Sequence, residues 1–206
     1  MSKEIIYRKY KNSDFYDVLD ITLKTWEYEK YLSRDTAHLA AELDLLCYIR
    51  ESSIIYVAQK DDKVIGFLVA RNIPNIAASS FDNRINAITK KLSEQREGII
   101  VKLFRWKMNS INKRLINKVN KNYEAELQFF AVDKDFRGFG VGKQLFEIFN
   151  NYLTSINAKS FYLYTDTTCN YKFYDNYGLS RRQTKKLKVP FSKCPIAEFY
   201  LYDNLK

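Results

Sequence analysis

Residues 126–149 read Glu126-Leu-Gln-Phe-Phe-Ala-Val-Asp-Lys-Asp-Phe-Arg-Gly-Phe-Gly-Val-Gly-Lys-Gln-Leu-Phe-Glu-Ile-Phe149. Their order is strand, turn, helix. Glu126 to Val132 is rich in aromatic and aliphatic residues and holds no breaker, as a buried strand requires. From Lys143 onward, Leu145, Ile148, Phe149 and Tyr152 recur at helical spacing. Between the two lies Arg137-Gly138-Phe139-Gly140-Val141-Gly142, with glycines at alternate positions. Glycine reaches φ > 0 and lets another molecule approach the main chain closely. Amides turned inward ahead of a helix N-terminus, where the helix dipole adds positive potential, suit a diphosphate. The stretch therefore predicts a phosphate-bearing ligand held by backbone.

On the N-terminal side, residues 5–10 predict a first strand. Asn12-Ser13-Asp14 signals a helix start, and Phe15, Val18, Leu19, Thr22 and Leu23 form its apolar stripe, ending near Trp26. A second helix starts within residues 33–35, with a stripe of Leu39, Leu43, Leu46 and Ile49 or Arg50. Residues 54–60 and 63–70 flank Asp61-Asp62, which predicts a tight antiparallel hairpin. Residues 71–83 read as loop. Across residues 84–120, Ile85, Ile88 and Leu92, then Met108, Ile111, Leu115 and Val119, recur at helical spacing, with Gly98 expected to separate two helices.

On the C-terminal side, residues 160–166 form a strand that follows a helix, so parallel pairing with the Glu126 strand is expected. Residues 170–177 make a short helix closed by Gly178. Residues 182–189 alternate, Pro190 interrupts, and residues 197–202 pair with them as a terminal antiparallel hairpin. No internal repeat or long linker divides the chain. One domain over residues 1–206 is expected, carrying a helical insertion at about 84–121.

A chain of 206 residues, 46% hydrophobic and 16% aromatic, suffices for one well-packed α/β domain. It contains no apolar run of 18 residues, so no membrane span is expected, and no membrane is expected among its partners. Its start enters a strand pattern without a secretory signal, which points to the cytoplasm. Cys47, Cys169 and Cys194 are odd in number and lack metal-type spacing; with His38 as the one histidine, free thiols and no metal are expected. The net charge of +10 is concentrated: residues 84–121 hold eleven basic residues against two acids. Such a face attracts nucleic acid, an anionic membrane or an acidic substrate, or is simply a solvated helical face.

The order of elements resembles the GNAT superfamily of CoA-dependent N-acetyltransferases. Arg137-x-x-Gly140-x-Gly142 after a strand ending in Ala131-Val132 is similar to its Arg/Gln-x-x-Gly-x-Gly/Ala signature, and Asn170-x-x-Phe173-Tyr174-x-x-x-Gly178-Leu179 to its late Phe-Tyr helix. The resemblance covers nearly the whole chain apart from residues 84–121, where the family joins its strands by a short turn. It implies a mixed α/β (α+β) fold. The sheet would be mostly antiparallel with a central parallel strand pair, flanked by helices and extended by the basic helical insertion. A dinucleotide-binding fold fits poorly, since its glycine turn follows the first strand of a parallel array.

The resemblance also implies acetyl-CoA as donor, with no metal. The amides of Arg137, Gly138, Phe139, Gly140, Val141, Gly142 and Lys143 would take the pyrophosphate. The main chain of Phe130, Ala131 and Val132 would pair with the pantetheine arm, and Asn170, Phe173 and Tyr174 would line its far side. In the family the amine attacks the thioester directly, so Cys169 is read as packing. Tyr174 is the candidate acid for the departing thiolate and Glu126 the candidate base, because an alkylammonium with a pKa of about 10 must lose a proton first. In an extended strand Glu124, Glu126 and Gln128 share one face, opposite Ala125, Leu127 and Phe129. The alternatives for Glu126 are an ion-paired strand carboxylate or a water chain in its place.

Trp26, Tyr28 and Tyr31, among Glu27 and Glu29, are candidate acceptor-binding residues, since acidic and aromatic groups suit a cationic amine. The function expected is acetyl transfer to a primary amine of a small molecule, peptide or protein. The alternative is a non-catalytic acetyl-CoA-binding or nucleic-acid-binding module using the basic insertion. Those two helices would cap the acceptor site, dock a second subunit as a homodimer, or contact an acidic macromolecule.

Overall fold

A computed structural model of the chain describes residues 4–73, 81–188 and 196–205. Its centre is a seven-stranded sheet in the order β1-β2-β3-β4-β5-β7-β6. The strands are β1 (Ile6–Lys9), β2 (Ile54–Lys60), β3 (Lys63–Asn72), β4 (Ala125–Val132), β5 (Phe161–Asp166), β6 (Ser180–Lys188) and β7 (Ile196–Asp203). β4 and β5 run parallel, because α5 (Val141–Ser155) carries the chain back between them. Each other neighbouring pair is antiparallel. The β2–β3 hairpin turns through Asp61 and Asp62 at φ 49° and 63°, the conformation whose twist matches the flanking strands.

The two sheet faces are covered differently. On one lie α1 (Phe15–Thr25), α2 (Arg34–Glu51), α3 (Asp82–Ser93) and α4 (Arg96–Val119); on the other lie α5 and the short α6 (Lys172–Asn176). The predicted stripe of α1 is buried, with Ile21 joining it. α2 buries more than its predicted stripe: Leu45 is fully enclosed and Leu39 only partly. It packs against α1, α3, α4 and the sheet at once, so several of its faces become interior.

Three expectations are corrected. Gly98 does not separate the insertion's helices; the break falls at Glu94 and Gln95, and Gly98 lies in the first turn of α4. A Cβ there would collide with the Leu92 carbonyl, so glycine permits the close approach of α4 to the end of α3. Residues 71–83 are not all loop: Arg71 and Asn72 belong to β3, and Asp82 and Asn83 open α3. Residues 74–80 of that expected loop, like Pro190 and Cys194, lie outside the described residues. Finally, β4 does not alternate strictly. Its register with β3 passes from Leu127 opposite Ala70 to Phe129 opposite Val69, a bulge at Gln128. Phe129 therefore packs with the α1–α2 side, whereas Ala125 and Leu127 pack with the α5 side.

α4 ties the first face together. Glu97 accepts hydrogen bonds from the backbone N–H and hydroxyl of Ser33, capping α2 from another helix. Farther along, Arg105 pairs with Asp44 of α2, and the carbonyl of Asn112 accepts from the Tyr164 hydroxyl of β5. One helix thus spans from α2 to β5 and the β6–β7 hairpin.

Candidate active site

β4 and β5 are in register only from Ala125 opposite Phe161 to Leu127 opposite Leu163. Beyond the bulge at Gln128, β4 continues to Val132 beside β3 alone. The strands part there, and the β5-facing edge of Phe130, Ala131 and Val132 is open to an extended ligand.

The glycine turn stands at the mouth of that gap. After a 3-10 turn over Lys134–Phe136, Arg137 donates through Nε to the Val132 carbonyl at 3.1 Å, folding the loop back over the strand end. Gly138 and Gly140 adopt φ 86° and 79°, and Gly140 is the N-cap of α5. The N–H groups of Gly138, Phe139, Gly140, Val141, Gly142 and Lys143 find no acceptor among the described residues. Six amides at a helix start with no partner are what a diphosphate needs. No atom lies within 4 Å of where a Cβ on Gly138 or Gly140 would stand, so the cradle is unobstructed. The Phe139 ring is 72% exposed and makes no wall of the gap.

Across the gap, α6 places Phe173 with its ring 5.6 Å from that of Phe130. Gly142 lies beside both rings. Tyr174 packs among Phe146, Phe173 and Tyr202. Its hydroxyl makes no hydrogen bond among the described residues, and burial raises its pKa above the usual phenol range. Asn170 is exposed just ahead of α6. Cys169 is lifted to about 11, by burial first and then by Asp166, so it stays a thiol at neutral pH.

On the opposite face, Glu126 is 6% exposed. Its Oε2 accepts from Tyr162 at 3.0 Å and pairs with the Arg71 guanidinium at 2.7 Å. Burial pushes the Glu126 carboxyl above the ordinary carboxylate range, while Arg71 and then the Tyr162 hydroxyl pull it partly back. Arg71 also holds Glu51 at 2.6 Å. Two buried polar atoms here lack partners among the described residues, Arg71 Nε and Gln128 Oε1. Glu124 is separate from this group: it caps the backbone N–H groups of Lys159 and Ser160.

The three aromatic residues expected for the acceptor do not converge. Trp26 stacks on Phe129 with centroids 4.3 Å apart, and Tyr48 stacks on that same ring at 4.6 Å. Tyr28 donates to Asp44 at 2.6 Å. Tyr31 points out, 63% exposed, under the Lys30 ammonium. Arg71, Glu51, Tyr162 and Gln128 escaped sequence reasoning. Arg71 lies in a stretch that reads as loop, no local pattern marks Glu51 and Tyr162 as neighbours of Glu126, and strand alternation puts Gln128 on its face without marking it as part of a site.

Among the described residues, no group of three or more His, Cys, Asp or Glu is placed to hold a metal. No helix among them is long and apolar enough to cross a membrane.

A family model described as the acetyltransferase (GNAT) family matches residues 15–178. The fold is shared with solved structures at low identity. SsHAT has a TM-score of 0.65 at 17% identity, covering 99% of this chain and 100% of that one. Ard1 from Thermoplasma volcanium has a TM-score of 0.54 at 20% identity, covering 98% and 99%. PaiA N-acetyltransferase from Thermoplasma acidophilum, solved in complex with coenzyme A, has a TM-score of 0.53 at 14% identity, covering 99% and 100%. No curated protein is a significant sequence match.

Proposed function

The chain belongs to the acetyltransferase (GNAT) family, an enzyme family whose donor is acetyl-CoA, and we propose that it moves the acetyl group directly onto a primary amine of a small molecule, peptide or protein. One observation carries the reading. The six unpartnered amides from Gly138 to Lys143 stand at the mouth of the gap that opens between β4 and β5 past Leu127. A diphosphate at the amides would lead a pantetheine arm along Phe130, Ala131 and Val132, with Asn170, Phe173 and Tyr174 on its far side.

The two faces of the sheet then divide the labour. The donor lies on the α5–α6 side, and the amine approaches from the side of α1, α2 and α4. Glu126, raised by burial, accepts the ammonium proton, directly or through a water chain. The amine attacks the thioester carbonyl, forming the C–N bond and a tetrahedral oxyanion. A backbone amide of Phe130, Ala131 or Val132 steadies that oxyanion. As the C–S bond breaks, the Tyr174 hydroxyl gives its proton to the departing thiolate, the second proton shed by the acylated nitrogen restores the phenol through solvent, and Glu126 releases its proton to water. Glu51 and Glu126 share the Arg71 guanidinium, and Arg50 also reaches Glu51, so these carboxylates are the acidic groups a cationic acceptor would meet on this face. Trp26 shapes the same side through its stack on Phe129, with Tyr28 behind it and Tyr31 at the rim. One domain, its helical pair α3–α4 roofing the acceptor side, and a cytoplasmic setting complete the reading.

Thiol release from acetyl-CoA, measured across a panel of primary amines, peptides and amine-free controls, tests this. Release that depends on an amine, with one class preferred, is expected. A protein that binds CoA but releases no thiol with any amine is a binding module, and the transfer reading fails.

A further inference from the structure

Nine large hydrophobic residues are exposed among the described residues, and five of them sit within about two turns of α4: Ile99, Ile100, Leu103, Phe104 and Trp106, each 59–70% exposed. Ile99, Leu103 and Trp106 follow one row at i, i+4, i+7, and Ile100 and Phe104 form the adjacent row. Along this stretch the side carrying Gly98 and Val101 is the one packed into the protein, and farther along the helix the Phe104 row continues into the buried Ile111 and Leu115. Over these two turns the exposed rows are therefore a continuous apolar stripe with no partner among the described residues. A stripe of this kind on a folded monomer marks a docking surface.

The charge beside the stripe says what docks there. Arg96, Lys102 and Lys107 flank it, and Lys113, Arg114 and Lys118 continue along the helix, all exposed. None of the six is in an ion pair among the described residues. The acid of α4, Glu97, is engaged with Ser33. A second copy of this chain would bring two such unneutralised rows face to face, which opposes association. Nucleic acid would match the cations but has no use for Ile99, Ile100 and Leu103. Aliphatic and aromatic side chains interleaved with long cationic ones match the boundary of an anionic lipid bilayer. There the apolar groups enter the acyl region and the lysines reach up to the phosphates.

We propose that α4 is a membrane-docking helix, which seats the protein on an anionic lipid surface through Ile99, Ile100, Leu103, Phe104 and Trp106 with flanking cations. The helix lies flat on the surface and does not span it. The inference does not depend on the acyl acceptor.

Vesicle co-sedimentation tests it, with phosphatidylcholine vesicles alone and with vesicles containing phosphatidylglycerol. The full chain is expected to bind the anionic vesicles and to leave the neutral ones largely unbound. Leu103→Glu/Phe104→Glu should weaken binding about ten-fold or more. Lys102→Gln and Lys107→Gln should each weaken it roughly five-fold. Both kinds of variant keep wild-type circular dichroism and thiol release. A blue shift of tryptophan emission on adding anionic vesicles should vanish in Trp106→Phe. No binding to anionic vesicles at low salt overturns the proposal, as does binding that Leu103→Glu/Phe104→Glu leaves unchanged. A dimer seen by light scattering, lost in that variant and indifferent to vesicles, also overturns it and makes a second copy the occupant. Tighter binding to RNA than to vesicles overturns it in favour of nucleic acid.

Discussion

The Arg71 guanidinium stands 2.7 Å from Glu126 Oε2, where β3 and β4 pair and bury a carboxyl on the sheet face covered by α1, α2 and α4. The pair sets the protonation of Glu126 by two opposed effects: desolvation raises the carboxyl, and the cation lowers it.

The net direction has a consequence for stability. A carboxyl held above its unfolded value keeps its proton longer in the folded protein than in the unfolded chain. Its contribution is therefore fully present below the unfolded pKa and is lost as pH rises through the folded value. Glu126→Gln removes that dependence. Denaturant midpoints of wild type and variant, followed from acid to neutral pH, should shift in the variant's favour as pH rises. Parallel curves would show that Glu126 is not raised.

Removing the cation acts the other way on catalysis. Arg71→Met should push Glu126 higher still, moving the acid limb of kcat/KM to higher pH if Glu126 is the base. Stability should fall by about 2–4 kcal/mol, because a buried carboxylate loses its partner. An acid limb unmoved in Arg71→Met and in Glu126→Gln assigns the base to water.

The Tyr174 hydroxyl makes no hydrogen bond among the described residues and is held protonated by burial. Tyr174→Phe keeps the ring packing and removes the proton, so kcat should drop by about 100-fold with CoA affinity nearly unchanged. Equal turnover in the two proteins would take the acid role from Tyr174.

Two glycines should separate fold from donor binding. Gly98→Ala meets the Leu92 carbonyl and should cost about 1–3 kcal/mol of stability while CoA affinity stays the same. Gly140→Ala meets no atom but must hold φ 79°, at a cost of about 1 kcal/mol. Its measurable loss should be in CoA affinity, read by calorimetry, since the strained cradle re-aims its amides. Unchanged CoA affinity in Gly140→Ala would argue against a diphosphate there.

Much of this was legible in the residues themselves. The stripe from Phe15 to Leu23, the Asp61-Asp62 hairpin, the parallel β4–β5 pair and the helix after Gly142 follow from periodicity and turn chemistry, which neighbours in sequence decide. The failures have one cause. Gly98 looked like a breaker because its need to approach Leu92 is a packing fact. Arg71 looked like loop because β3 extends only where β4 is present to pair with it. Phe129 was assigned the wrong face because the bulge at Gln128 is a property of two strands in register.

The sequence by itself determined the order of elements and the glycine turn, since helical period, strand run and positive φ are local requirements of the backbone. Tertiary structure alone decided the rest. It joined Glu126, Arg71, Glu51 and Tyr162, opened the gap past Leu127, laid α4 across from α2 to the β6–β7 hairpin and left the row from Ile99 to Trp106 facing outward. Burial and charge pairing depend on which distant surfaces meet, and no spacing along the chain records that.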